Sequence, residues 1–221
     1  MPLPPTPAIS NQQISRALSV FGMSISNEQI AMVREYMLIL LKWNLSISLT
    51  TVTDPDEIIS RHFGESMFAT KLIPVENCRL ADVGTGAGFP GLPLKILSPT
   101  LELVLIESNK KKHAFLSEVV RTLKLQGVEV FPDRFEQIRP ETLKVDLISA
   151  RALGDFKQLL RWAAQALKPG GNIMLWVGAE DATRLSANSS WIWEPATRIP
   201  DSQRRFILIG RPKVSISGNL Q

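Results

Sequence analysis

The sequence predicts a doubly wound α/β fold: a mostly parallel sheet with helices on both faces, preceded by a helical N-terminal region. Three features predict it. After Pro74, short apolar runs alternate with helical segments. A glycine-rich turn directly follows the first of those runs. Ahead of both, apolar residues recur at the spacing of one helix face.

The opening Met1 to Pro7 is rich in proline and lacks the basic start and continuous apolar stretch of a secretory signal, so residues 1–10 read as a flexible tail. From Ser26 to about Trp43, Ile30, Val33, Met37, Leu40 and Leu41 mark a helical face, and Ser26 with Gln29 forms a capping box. Trp43 continues that face and is expected in the core. A second helix should start at Asp54, with Pro55 in its first turn and Glu57 three residues after the cap, and run through Ile58, Ile59, His62, Phe63 and Met67. Residues 11–75 therefore read as a helical region packed on a core formed by residues 76–221.

Strands are expected at Leu80 to Val83, Leu101 to Ile106, Val128 to Val130 and Val145 to Ser149. The crossovers between and after them span Leu92 to Leu97, Lys110 to Leu123, a single turn at Phe135 to Ile138, and Asp155 to Leu167. Lys168-Pro169-Gly170-Gly171 reads as the stop of the fourth crossover, with a fifth strand over Asn172 to Val177. Trp191 to Trp193 and Phe206 to Ile209 have no clear helix between them and read as an antiparallel hairpin at the sheet edge.

A chain of 221 residues, 44% hydrophobic and 21% charged, carries enough apolar material for one sizeable core. Cys78 is the only cysteine, which rules out an internal disulfide and a thiolate zinc cluster and fits a reducing cytoplasm. The longest apolar runs, such as Met37 to Leu41, fall far short of the ~20 residues of a bilayer span. A net charge of +4 permits a polyanionic partner without demanding one.

Asp82-Val83-Gly84-Thr85-Gly86-Ala87-Gly88 follows the first expected strand, where an open α/β sheet presents its ligand crevice. Glycines at 84, 86 and 88 allow a tight turn whose amides face an anion. A dinucleotide fingerprint would need a small residue at position 89, where Phe89 stands, and the Lys-Ser/Thr pair of a phosphate-binding loop is missing. The carboxylate of S-adenosylmethionine suits the loop better. Glu107 ends the second strand 23 positions after Gly84, near the spacing at which an acid accepts hydrogen bonds from ribose hydroxyls. At the third strand end, Phe135 could cover an adenine face or simply belong to the core.

These residues resemble the RsmG/GidB (glucose-inhibited division protein B) family, the bacterial 16S ribosomal RNA guanine-N7 methyltransferases. The resemblance runs from about Gln29 to Gly210. It rests on Lys42-Trp43-Asn44 with Leu49-Thr50, on Arg61-His62, on the long stretch Asp82 to Pro93, on Phe115-Leu116, on Ser149-Ala150-Arg151-Ala152, and on Arg204 before the last strand.

The resemblance implies a seven-stranded, Rossmann-like class I methyltransferase sheet that uses S-adenosyl-L-methionine, with cofactor contacts at Gly84, Phe89, Phe135, Glu136 and Arg151. With the loop and strand-end reading, Asp82, Gly86, Gly88 and Glu107 join that set. Four positions depart from the family: Glu107 replaces an aspartate at its strand end, Ser48 an asparagine, Glu65 an aspartate, and Val177 a common lysine. The substrate implied is 16S ribosomal RNA or the small ribosomal subunit, handled by a cytoplasmic monomer without metal or membrane.

Guanine N7 has a free lone pair at neutral pH, so no general base is expected, and positioning should carry the rate. Arg151 and Arg134 are the positioning candidates. RNA contacts are expected from Arg61, His62, Arg134, Arg204 and the run Lys110, Lys111 and Lys112, whose charges oppose the macrodipole at a helix start and invite an external anion. Three other readings stay open: a methyltransferase acting on another RNA position or a small molecule, a non-catalytic binding module on the same fold, and a nicotinamide enzyme.

Overall fold

Two capping boxes start the helical region. Ser10 and Gln13 exchange side-chain and backbone hydrogen bonds at the head of α1 (Asn11–Ser19), and Ser26 and Gln29 do so for α2 (Asn27–Asn44). The structure, a computed structural model, describes residues 9–152, 154 and 156–213. Most of the expected tail, and Asp155, lie outside the described residues. Ile9 is already buried and Ser10 is a cap, so packed chain begins inside the stretch read as tail. The helix α1 has only Ile14 and Leu18 fully buried, too short an apolar repeat to stand out in the sequence.

The helix expected from Asp54 changes its winding along the way. Asp54 caps the Glu57 amide and opens α3 (Pro55–Ile58). A π-helical segment over Ile59–Gly64 follows, then α4 (Glu65–Met67) and a 3-10 turn over Phe68–Lys71. Each residue advances an α-helix by about 100°, so the wider turn redirects the side chains beyond it relative to a continuous helix. Such segments recur at functional sites. Gly64 lies in this segment because the Phe21 ring packs where its Cβ would be.

The sheet has the order β3-β2-β1-β4-β5-β8-β6, formed by β1 (Arg79–Val83), β2 (Glu102–Ile106), β3 (Val128–Phe131), β4 (Val145–Arg151), β5 (Leu167–Gly178), β6 (Trp191–Trp193) and β8 (Arg205–Pro212). The two-residue β7 (Thr197–Arg198) pairs with β8 off that path, giving eight strands among the described residues where seven are expected. Two residues are too short to register as alternation. The first five strands are parallel, and β8 runs antiparallel to β5 and β6. The expected hairpin therefore forms with its second strand inward.

Between the strands lie α5 (Gly91–Leu97), α6 (Lys110–Thr122), a 3-10 turn at Phe135–Gln137 with α7 (Pro140–Leu143), and α8 (Phe156–Ala166). A further helix, α9 (Ala179–Ser186), follows β5; with Ala182 and Leu185 alone buried it has little apolar signature. The helix stop read at Lys168 to Gly171 is displaced. α8 already ends at Ala166, and the Lys-Pro-Gly-Gly stretch bulges out of β5, whose register with β4 jumps from Val145↔Leu167 to Leu147↔Asn172.

Strand residues alternate between two cores, as the pleat requires. Leu80, Leu103, Leu105, Leu147 and Met174 pack with α1, α2, α5, α6 and the π-helical segment; Ala81, Val83, Val104, Ile106, Ile148 and Leu175 pack with α8 and α9. Trp43 joins the first core edge-on to Phe115, with its indole donating to Glu118. β2 and β3 lie to one side of β1, while β4 and β5 lie to the other. That reversal opens a crevice above the C-terminal ends of β1 and β4.

Candidate active site

Asp82, near the end of β1, is enclosed beneath the glycine turn. Its Oδ1 accepts from Ser149 Oγ at 2.7 Å, and its Oδ2 accepts from Thr85 Oγ1 at 2.5 Å and the Gly91 amide at 2.9 Å. One carboxylate thus ties both ends of the turn to β4. Burial raises its pKa to about 6 against the opposing pull of those three donors. Read from sequence as a cofactor contact, Asp82 has no exposed surface and instead organises the loop.

Gly84, Gly86 and Gly88 all have positive φ, at 64°, 60° and 87°. At Gly88 a Cβ would also collide with Leu92 and with the Tyr36 hydroxyl, which donates to the Ala87 carbonyl. At Gly86 it would meet nothing nearer than the Gly84 carbonyl at 3.9 Å, so the space over the turn is open.

Glu107 follows β2 and meets this turn directly. Its Oε2 accepts from the Gly86 amide at 3.0 Å and its Oε1 from the Asn109 amide at 2.8 Å. Each oxygen keeps a lone pair for a further donor. Asn109 Oδ1 in turn accepts from the Lys111 and Lys112 amides. The α6 start is thus capped from within, so an anion drawn to the three lysines would find two of the helix-start amides already taken. Lys110 and Lys111 are exposed and Lys112 half-buried.

Arg151, at the end of β4, reaches across the crevice to the π-helical segment. It donates to the Arg61 carbonyl at 3.0 Å and to Glu65 Oε2 at 3.2 Å. Arg205 takes the other oxygen, Glu65 Oε1, at 2.7 Å, and the Trp176 indole donates to the Glu65 carbonyl. Burial raises the Glu65 pKa while the arginines pull it down. Sequence reasoning missed Arg205 and chose its neighbour. Adjacent strand residues face opposite ways, and of the pair it is Arg205 that turns inward, while Arg204 is exposed. A lone acid between Phe63 and Met67, four residues after Arg61, was the available signal for Glu65.

Several expected contacts are placed differently. The Phe89 ring points into the helical region, stacked on Tyr36 and His62 and edge-on to Phe63, so only its backbone is left to the crevice. Phe135 packs edge-on to Trp162 in the second core and covers no open surface, whereas Glu136 and Arg134 beside it are exposed. Arg61 is half-exposed and paired with Glu57 at 2.6 Å. Val177, where a lysine is common in the family, is buried in β5 opposite Phe206.

His62 bonds Thr50 Oγ1 through Nε2 at 2.8 Å, and its Nδ1 is buried without a partner. Burial, aided by Arg151 and Arg61, lowers its pKa from 6.5 to about 3. The ring is neutral at pH 7, which removes the cationic grip on phosphate that sequence allowed it. The unfolded chain binds this proton first, so the stability it contributes is present above pH 6.5 and is lost as pH falls towards about 3. Urea unfolding of the wild type should lose roughly 2 kcal/mol between pH 6.5 and 5 from this group. In His62→Gln that part of the slope should vanish; an unchanged slope would show that other groups cause it.

Residues 29–194 match the family described as rRNA small subunit methyltransferase G. Ribosomal RNA small subunit methyltransferase G 1 of Syntrophobacter fumaroxidans is 36% identical over 181 residues, covering 80% of this chain and 82% of its own. The chain belongs to the rRNA small subunit methyltransferase G family. A second member of that family, from Pseudomonas entomophila, is 32% identical over 209 residues, 91% of this chain and 95% of its own.

The fold recurs in more distant methyltransferases. A SAM-dependent methyltransferase from Aquifex aeolicus superposes with a TM-score of 0.59 at 17% identity, covering 71% of this chain and 93% of its own. The ribosomal protein L11 methylase of Lactobacillus delbrueckii gives 0.55 at 16%, covering 70% and 79%. Among the described residues no cluster of His, Cys, Asp and Glu could hold a metal, and no helix is long and apolar enough to cross a membrane.

Proposed function

We propose that this member of the rRNA small subunit methyltransferase G family transfers a methyl group from S-adenosyl-L-methionine to N7 of a guanine in bacterial 16S ribosomal RNA, acting as a cytoplasmic monomer on the small ribosomal subunit. In this reading residues 11–75 pack as a helical extension on a methyltransferase domain over 76–221. The observation that carries it is the junction of Gly86 and Glu107, which brings the glycine turn and a strand-end carboxylate together at the switch point of the sheet.

The residues fit the cofactor. The amides of Gly84, Gly86 and Gly88, expected from sequence to face an anion, instead donate to Ile106, Glu107 and Thr85. The turn therefore offers the cofactor's amino-acid end the open space over Gly86 rather than those donors, and the free lone pairs of Glu107 suit a ribose diol. The backbone of Phe89 and Phe135, with Glu136, borders the adenine end, while Arg151 closes the crevice from β4. When bound, the cofactor supplies an electrophilic methyl group on a sulfonium. Guanine N7 needs no proton removed, and Asp82, sealed under the turn, and His62, held by Thr50, are both committed elsewhere. Orientation is therefore the chain's contribution, worth up to roughly 7–11 kcal/mol for well-held reactants. Arg134, Arg204, Lys110 and Lys111 offer exposed positive charge for RNA, with Lys112 half-buried beside them and Arg61 and Arg151 nearer the site.

The test is to incubate the protein with labelled cofactor and small subunits lacking N7 methylation, then map the label. Incorporation at one guanine N7 is the expected result. Label at another position keeps the enzyme class and rejects the site; S-adenosylhomocysteine binding with no transfer would leave a binding module.

A further inference from the structure

On the sheet face opposite the N-terminal helices, a cleft of about 440 Å³ runs between α8 and the antiparallel edge. Lys157 and Arg161 line it from α8, Lys213 from just beyond β8, and Asn188 and Ser190 from the turn between α9 and β6, with the Trp191 indole beneath. Its lining contains three cations and no carboxylate. None of those cations forms an ion pair among the described residues, whereas Arg61, Arg79, Arg151, Lys168, Arg184 and Arg205 each do.

The chain builds this surface firmly. Asn188 Oδ1 accepts from the Ser190 amide at 2.9 Å, and the Ser190 carbonyl accepts from the Lys213 amide at 3.0 Å, which fixes the end of β8 to the turn. The Asn188 amide nitrogen and the Ser190 hydroxyl remain as neutral donors. Lys157 and Arg161 stand four apart on one helix, an arrangement in which like charges repel unless an external anion lies between them.

The cleft is also continuous with the site. α8 begins five residues after Arg151, so Lys157 sits beside the C-terminal edge of the sheet. β8 runs from Arg205, opposite Gly178 at that edge, to Pro212 at the other, so Lys213 lies at the far end. From the crevice the positive charge thus leads down the flank of the molecule.

We infer that this cleft binds the phosphodiester backbone of the RNA strand flanking the target nucleotide. The inference rests on the proposed RNA substrate and adds a second contact surface to it. Phosphates seated there neutralise Lys157, Arg161 and Lys213, and the hydroxyl and amide donors hold sugar or phosphate oxygens. The strand wraps from the C-terminal edge onto a face remote from the cofactor turn.

The test is the salt dependence of binding for the variant Lys157→Gln, Arg161→Gln, Lys213→Gln, measured by filter binding on unmethylated, protein-free 16S rRNA and on small subunits. Each phosphate contact to a single strand contributes about 0.7 to the slope of log K against log salt. The variant should lose about 2 from that slope on both substrates, with S-adenosylhomocysteine affinity and Tm unchanged. The charge-keeping variant Lys157→Arg, Arg161→Lys, Lys213→Arg should retain the wild-type slope. An unaltered slope in the glutamine variant overturns the inference. A slope that falls on subunits but not on protein-free rRNA overturns it too, by assigning the cleft to a ribosomal protein. Wild-type protein that binds neither substrate removes the RNA reading itself, a separate failure.

Discussion

Glu65→Ala is expected to destabilise the protein by about 3–5 kcal/mol, the cost of stripping one partner from a buried charge cluster. The carboxylate is almost wholly enclosed, and each of its oxygens is held by a different guanidinium. Removing it leaves Arg151, itself 18% exposed, facing Arg205 across the vacated space. Arg205 is 38% exposed and can recruit water, so the penalty falls mainly on Arg151 and should sit near the lower end of that range. Urea unfolding should show a lower midpoint at unchanged m-value. Glu65→Gln keeps one acceptor and should lose less, while Glu65→Asp keeps the charge but must stretch to reach both partners. A loss below about 1 kcal/mol in the alanine variant would mean that the two arginines repack without their acid, and that the cluster does not fix Arg151.

What the sequence carried and what it did not follows from the range of each interaction. Capping at Ser26 and Asp54 depends on residues three positions apart, and the parallel strands depend on runs of Val, Ile and Leu, so both were legible. That a glycine turn and a strand-end acid share one crevice was legible from their fixed order, but the hydrogen bond from the Gly86 amide to Glu107 was not, since that amide was expected to face an anion. The enclosure of Asp82 and the direction of the Phe89 ring were not legible because their partners are distant in sequence: Ser149 comes 67 residues after Asp82, and Tyr36 and His62 approach Phe89 from another layer. The π-helical turn leaves no mark in apolar periodicity, yet it accompanies the step that turns His62 and Glu65, and the Arg61 carbonyl, towards the sheet. Arg205 could not be told from Arg204 until the register of β8 against β5 fixed which one faces Glu65.

Glu107→Ala should weaken S-adenosylhomocysteine binding by about two orders of magnitude while leaving the fold nearly intact. A carboxylate accepting from a hydroxyl contributes about 1.5–3 kcal/mol, and with two ribose hydroxyls to receive, a loss of about 3 kcal/mol corresponds to roughly 10²-fold. Stability is affected less because the two amides released, Gly86 and Asn109, lie at the rim of an open crevice where water can replace the acid. Calorimetry separates this from a purely structural role. If Glu107 only braced the turn, Glu107→Gln, which retains an acceptor oxygen for Gly86, would bind like wild type; if it receives the diol, the glutamine variant should fall between wild type and alanine because the charge-assisted part is gone. Ribose contacts are the same before and during methyl transfer, so the expected kinetic mark is a raised cofactor KM with kcat little changed. Wild-type affinity in the alanine variant would show that the strand-end acid serves the loop alone, and that the sugar is held elsewhere in the crevice.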